Sequence, residues 1–170
     1  MPDPEHPNVA RVRDFAASRG VQLAVSRFPA GTRTAVEAAR AIGVTPGQIV
    51  KSLVFRVSRE VDETVVVLCS GAARVDERKV ASALGAATVR RATADEAKVA
   101  TGYAIGGVPP FAHAAACRVL CDRTLLAFDV VWAASGLPDA VFPITPADLV
   151  RLSAAEVVDV AAEDRATLDA

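Results

Sequence analysis

Aromatic residues are scarce in this sequence. Six Phe, one Trp and one Tyr make up 5% of its 170 residues. A core built from it must be aliphatic, drawn from Ala, Val and Leu. Histidine occurs only at His6 and His113, and cysteine only at Cys69, Cys117 and Cys121. That supply contains no Ser-His-Asp set and no pair of Cys or His pairs at zinc spacing, so no metal and no cofactor is expected. An odd number of cysteines, behind a polar Met1–Pro7 segment that lacks a basic start and apolar run, fits a reducing cytoplasm. Neither charge sign is in excess: 19 Lys and Arg face 20 Asp and Glu, for a net charge of −1. This argues against a large nonspecific nucleic-acid footprint, while leaving room for a local basic patch. Nothing approaches the roughly 18 uninterrupted apolar residues that a membrane helix needs. The longest strongly apolar stretch, Thr124 to Leu137, is broken by Asp129 and Gly136 and reads as a buried strand with its exit turn.

What is present is a 52% hydrophobic chain, long enough for one domain with a sizeable core. The domain is expected over residues 8–162, with residues 1–7 and 163–170 as tails. Val9, Val12, Phe15 and Ala16 share a helical face. Val21, Leu23 and Val25 alternate as in a strand reaching Phe28, broken by Pro29-Ala30-Gly31. Thr32 or Thr34 can cap a helix through Ile42, with Glu37 placed for a capping box. Strands Val50–Val57 and Thr64–Cys69 flank a polar turn and predict an antiparallel hairpin. Asp76 and Thr93 can cap helices over 77–84 and 94–100, with a short strand over 87–90 between them. Strands are predicted at 119–120 and 125–133, and a helix from Thr145-Pro146. Short strands joined by hairpin-length turns, with helices entering between them, predict an α/β fold of the α+β type: a mixed, largely antiparallel sheet flanked by helices.

Two segments carry unusual chemistry. In Thr101-Gly102-Tyr103-Ala104-Ile105-Gly106-Gly107-Val108-Pro109-Pro110-Phe111, three glycines and two prolines fall within eleven residues. Such a loop can present backbone N–H and C=O groups to a ligand, or simply make a tight connection. In Ile49-Val50-Lys51-Ser52-Leu53-Val54-Phe55, Lys51 shares a strand face with Leu53 and Phe55. An ammonium there requires a partner, a cleft or a snorkelling route to water.

Lys51-Ser52-Leu53-Val54, the run Arg78-Lys79-Val80-Ala81-Ser82-Ala83-Leu84-Gly85-Ala86, and the loop Thr101–Phe111 resemble, in order and spacing, the motifs of the YbaK/prolyl-tRNA-synthetase-associated domain family. The resemblance spans about Val9 to Leu152. It implies a compact fold around a mixed sheet, and editing in trans: hydrolysis of the ester joining a wrong amino acid to the 3′-terminal adenosine of tRNA. By that resemblance Lys51 is the catalytic residue. Phe28, Gly102, Tyr103, Gly106, Gly107, Val108, Pro109, Pro110, Ser135 and Gly136 would line the substrate. The implied partners are the 3′ end of an aminoacyl-tRNA and an aminoacyl-tRNA synthetase, and no membrane. Phe28 stands where some relatives carry tyrosine, and Val141 where some carry an acidic pocket residue, which makes the expected pocket more apolar.

The residues fit ester hydrolysis, since a cation and backbone donors offset charge developing on a carbonyl oxygen. Water would be the nucleophile, with a ribose hydroxyl of the substrate as a candidate helper, because no protein nucleophile with an orienting base is evident. His113 is read as an exposed loop residue, with a general base as the alternative. Arg33, Arg40, Arg78, Lys79, Arg90, Arg91 and Lys98 are candidates for a tRNA-facing patch, weighed against ordinary solvated charges. Two other readings stay open at this point: a noncatalytic module binding an amino acid or nucleotide, and a thiol or metal enzyme using Cys117 and Cys121.

Overall fold

The computed structural model describes residues 5–28 and 34–163. The predicted break at Pro29-Ala30-Gly31, Thr32 as a cap, Arg33, and most of both predicted tails (residues 1–4 and 164–170) lie outside the described residues.

Local signals fix the helices. Helix α1 (Pro7–Ala17) carries proline in its first turn and buries Val9, Val12 and Ala16. Helix α2 (Ala35–Ile42) starts where the Thr34 hydroxyl accepts from the Glu37 amide. Helix α3 (Glu77–Leu84) is capped by Asp76, and α4 (Ala94–Thr101) by a reciprocal box between Thr93 and Glu96. Helix α5 (Pro146–Ser153) starts at Thr145, which accepts from the Asp148 amide.

The strands are β1 (Ser26–Arg27), β2 (Val50–Ser58), β3 (Glu63–Ser70), β4 (Thr88–Arg91), β5 (Arg118–Asp122), β6 (Val131–Ala134), β7 (Ala140–Ile144) and β8 (Glu156–Val158). A five-stranded sheet runs β4-β2-β3-β5-β8 and a three-stranded sheet runs β1-β7-β6. The β2–β3 hairpin is antiparallel, with Lys51 opposite Cys69. Strand β3 pairs β5 in parallel, and β5 pairs β8 in parallel; the other ladders are antiparallel. An isolated bridge between Ile49 and Trp132 joins the two sheets.

Both faces of the large sheet are covered. Val50, Val54, Val66, Leu68 and Cys121 pack on one side with Val12, Tyr103, Phe111, Phe142 and Leu149. Phe55, Val57, Val65, Val67 and Leu120 pack on the other with Val80, Leu84 and Val160. Side chains alternate between faces, so a central strand covered on both sides must be apolar throughout, as Val65–Cys69 is. Phe111 stacks on Phe15 at 5.3 Å and meets Phe142 at 5.8 Å between ring centroids.

The structure revises two expected elements and adds a third that the pattern does not predict. Val21, Leu23 and Val25 do pack against the core, but only Ser26 and Arg27 form a strand, because β7 offers them only Ala140 and Val141. The strand predicted over 125–133 is divided: Arg123–Ala127 forms a 3₁₀ turn started by the Asp122 side chain, and pairing begins only at Val131. Strand β7 was not predicted, because Pro143 interrupts its pattern. Asp139 turns its carbonyl to Phe28 on the β1 side, and Ala140 turns its own to Ser135. The missing Pro143 N–H therefore faces the side where β1 has already ended, and no ladder bond is lost.

Candidate functional site

The site begins with a gap in the pairing of β2. Strand β4 covers only Phe55 to Ser58. Toward its start, β2 has among the described residues only the Ile49–Trp132 bridge on that edge, and the Val54 carbonyl accepts from the Ala92 amide at 2.9 Å. Amide groups of alternate residues point the same way, so the Ser52 N–H and C=O face this uncovered edge. The Ser52 hydroxyl is buried beside them and has no hydrogen-bond partner among the described residues.

A cleft of about 310 Å³ opens over this edge. Its floor is β2 from Val50 to Val54. One wall is β6 with Trp132, Ala133 and Ala134, and another is α2 with Ala35 and Ala38. Ile105, Gly106 and Val108 come from the glycine- and proline-rich loop, with Pro138 and Val141 beside them. Among the described residues, the polar side chains on the lining are Thr34, Lys51, Ser52 and Arg91, with the indole N–H of Trp132. No carboxylate, histidine or thiol is among them.

Lys51 is half-buried, and its Nζ donates to the Ala73 carbonyl at 2.5 Å. The amine is therefore anchored within the protein. Among the described residues, one of its three donors is committed.

Of the residues expected at the site, Lys51, Gly106 and Val108 meet on this lining. The others serve around it. Tyr103 is fully buried and its hydroxyl donates to the Ala112 carbonyl at 2.8 Å, with the Arg11 guanidinium 5.5 Å from its ring centroid. Gly102 ends α4. Pro109 and Pro110 are buried, and the Pro109 carbonyl meets His113 Nε2 at 2.8 Å. Gly107 packs main chain against main chain: a Cβ there would sit 2.9 Å from the Leu137 backbone. Gly136 has φ +91°, and a Cβ would come within 2.8 Å of Asn8, whose Nδ2 donates to the Gly136 carbonyl. Ser135 is fully buried with an unpartnered hydroxyl. Phe28 is half-buried, and its amide bonds the Asp139 carbonyl. These residues hold the loop over 102–110 against the 135–139 turn, and so fix where Gly106 and Val108 stand.

Sequence reasoning missed Ile49, Ser52, Arg91, Ile105 and Trp132 as lining residues. Two of them carried a visible signal. Trp132 is the sole tryptophan of an aromatic-poor chain, and Ile105 is an apolar residue in a loop that stays 50% exposed.

His113 is not the exposed loop residue expected. It is half-buried, and burial pulls its pKa below the ordinary value, opposed by the contact to Pro109. Its contact to the Pro109 carbonyl braces the loop from behind. Burial pushes the Cys69 thiol up to about 11 and the Cys121 thiol up to about 12, and raises that of Cys117. Thiols held protonated in this way are poor nucleophiles. Cys117 and Cys121 pack with the same core cluster, as expected of small buried hydrophobes. Among the described residues, no group of three or more His, Cys, Asp or Glu is placed to hold a metal ion. Among the same residues, no helix is long and apolar enough to cross a membrane.

The candidate patch cations divide. Arg90 pairs with both oxygens of Glu96, Lys79 with Asp159 and the Ala161 carbonyl, and Lys98 with the Gly102 carbonyl. Arg91 instead lies at the cleft, 5.5 Å from the Phe55 ring centroid.

This fold is shared with proteins of one family. The chain belongs to the aminoacyl-tRNA editing domain family, whose pattern it matches over residues 29–152. It is 33% identical over 133 residues to YwhH of Bacillus subtilis, an uncharacterized protein, covering 78% of this chain and 83% of that one. It is 31% identical over 97 residues to the proline–tRNA ligase of Geobacillus sp., covering 57% of this chain and 17% of the ligase. Among solved structures it resembles a candidate trans-editing enzyme for prolyl-tRNA synthetase, with a TM-score of 0.86 and 42% identity, over 94% of this chain and all of that one. The hypothetical protein APE2540 is also similar, with a TM-score of 0.82 and 31% identity, over 89% and 99% of the two chains.

Proposed function

We propose that the protein is a trans-acting aminoacyl-tRNA deacylase, which hydrolyses the ester between a wrong amino acid and the 3′-terminal ribose of tRNA. The observation that carries this reading is the uncovered edge of β2. There the Ser52 amide and the Lys51 ammonium flank an apolar cleft of about 310 Å³, near the lower limit for a small-molecule site and suited to one esterified amino acid. The alanine and valine walls favour an apolar side chain.

Water attacks the ester carbonyl, and the carbonyl oxygen takes up negative charge. The Ser52 N–H and the Lys51 ammonium are the donors that offset it. Collapse of the tetrahedral intermediate breaks the bond to the ribose oxygen, which leaves with a proton. Since the described lining holds no carboxylate, histidine or thiol, that proton and the one lost by water pass through solvent or the neighbouring ribose hydroxyl. This supports a water nucleophile and leaves the cysteines and His113 outside the chemistry. Such a substrate is met in the cytoplasm, with a synthetase as a second partner.

The test is a deacylation screen of the pure protein against mischarged tRNAs, repeated with Lys51→Ala. Loss of one such donor is expected to lower kcat by about 10²-fold or more, with an unchanged circular dichroism spectrum. Full activity in Lys51→Ala would remove Lys51 from the mechanism. The absence of acid and base groups also favours a second reading, a noncatalytic binding module. Saturable binding of an aminoacyl-adenosine analogue, with no turnover across the screen, would select it.

A further inference from the structure

A second groove lies beside the first. It has a volume of about 370 Å³ and is lined by Leu53, Phe55 and Val75 with Lys51, Arg74, Arg91 and Glu77. Lys51, Leu53 and Arg91 line both grooves, so a ligand passing from one to the other crosses them. The two differ in character. The first is walled by alanine and valine. The second brings three cations together against one carboxylate.

Those cations are uncompensated in a molecule that pairs most others. Arg56, Arg59, Arg90, Arg118 and Lys79 each have a carboxylate partner. The Arg74 side chain has no hydrogen bond or ion pair among the described residues. Among the described residues, the Arg91 side chain has only the Phe55 ring, and the Lys51 amine only the Ala73 carbonyl. The Ala73 contact draws the amine toward the 73–75 segment, which forms the second groove's wall. Clustered cations without counter-charges repel one another, so their retention at one groove needs an anion to account for it. Glu77 alone cannot neutralise three.

We propose that this second groove seats the phosphodiester next to the 3′-terminal nucleoside of the RNA, while the aminoacyl ester occupies the first. The assignment rests on the deacylase reading and extends it to a residue that the sequence did not suggest, Arg74. An Arg fork matches a phosphate in geometry as well as charge, and Lys51 would then touch both ends of the terminal nucleotide. Arg74 lies outside the aminoacyl cleft, so it separates the two grooves experimentally.

The experiment compares full-length wild type with Arg74→Glu on two substrates at several salt concentrations: a mischarged tRNA, and the same amino acid esterified to adenosine, which has no phosphate. The ratio of kcat/KM on tRNA to kcat/KM on the nucleoside ester is expected to fall about tenfold or more, chiefly through KM on tRNA. The slope of log kcat/KM against log salt on tRNA should shrink by about one. A ratio within twofold of wild type overturns the groove. Anisotropy of uncharged tRNA supplies a readout independent of chemistry. If wild type hydrolyses neither substrate, the deacylase reading fails, and the groove stands only if Arg74→Glu still weakens tRNA binding with a reduced salt slope. Equal binding by both proteins rejects it.

Discussion

At the scale of single residues, the buried polar groups are the most informative. Asp122 is fully buried at the end of β5. Its carboxylate accepts from the Thr124 amide and hydroxyl and from the amides of Val160 and Ala161. Burial alone would raise its pKa, but these hydrogen bonds outweigh it and hold the pKa below the ordinary value. A depressed carboxylate contributes stability that is fully present above about pH 4 and is lost as pH falls through the folded-state value. Asp122→Ala is therefore expected to cost about 3 kcal/mol in urea unfolding near pH 7 and to flatten the decline of stability below pH 4. An acid limb as steep as that of wild type would show that Asp122 does not carry it. Ser52 illustrates the converse. Its unpartnered hydroxyl, beside an amide with no strand to bond, is a cost retained at the place where a ligand would relieve it.

At the scale of elements, the loop over 102–110 is positioned by contacts that point away from the cleft. Tyr103, Pro109, Pro110 and Phe111 are buried, and Gly107 lets the loop lie directly on the Leu137 backbone. Gly106 and Val108 are thereby left on the lining. Gly107→Ala would put a methyl group 2.9 Å from that backbone, where no side-chain rotation can relieve it. We expect a loss of about 1–3 kcal/mol by thermal unfolding, with a larger fractional loss of deacylation at a temperature where the variant is fully folded. Unaltered activity in the folded variant would mean that the loop's position is not critical to the cleft.

At the scale of the molecule, the cleft exists because two sheets meet without merging. The Ile49–Trp132 bridge is their junction, and the uncovered stretch of β2 lies immediately beyond it. Trp132 is the only tryptophan and sits on the cleft wall. Filling the cleft should therefore change the intrinsic fluorescence. Titration with a nonhydrolysable aminoacyl-adenosine analogue is expected to give a saturable shift in tryptophan emission, absent with adenosine 5′-phosphate at equal concentration. An unresponsive spectrum under saturating analogue, with binding confirmed by calorimetry, would place the ligand elsewhere.

Sequence alone determined whatever rests on neighbours along the chain. Thr34, Asp76, Thr93 and Thr145 start their helices because each cap bonds an amide two or three residues ahead. The β2–β3 hairpin follows from two apolar runs around a polar turn, and the face shared by Lys51, Leu53 and Phe55 follows from strand alternation. Tertiary structure alone decided what depends on partners far away in the chain. Whether Val21–Phe28 pairs depends on how much of β7 is within reach, and Pro143 is tolerated only because β1 stops short of it. The parallel pairing of β3 with β5, the open edge at Ser52, and the gathering of Lys51, Arg74 and Arg91 around one groove have no signature in local periodicity. They arise where strands of unequal length leave backbone and charge without a partner, and unequal length becomes visible only once the strands are side by side.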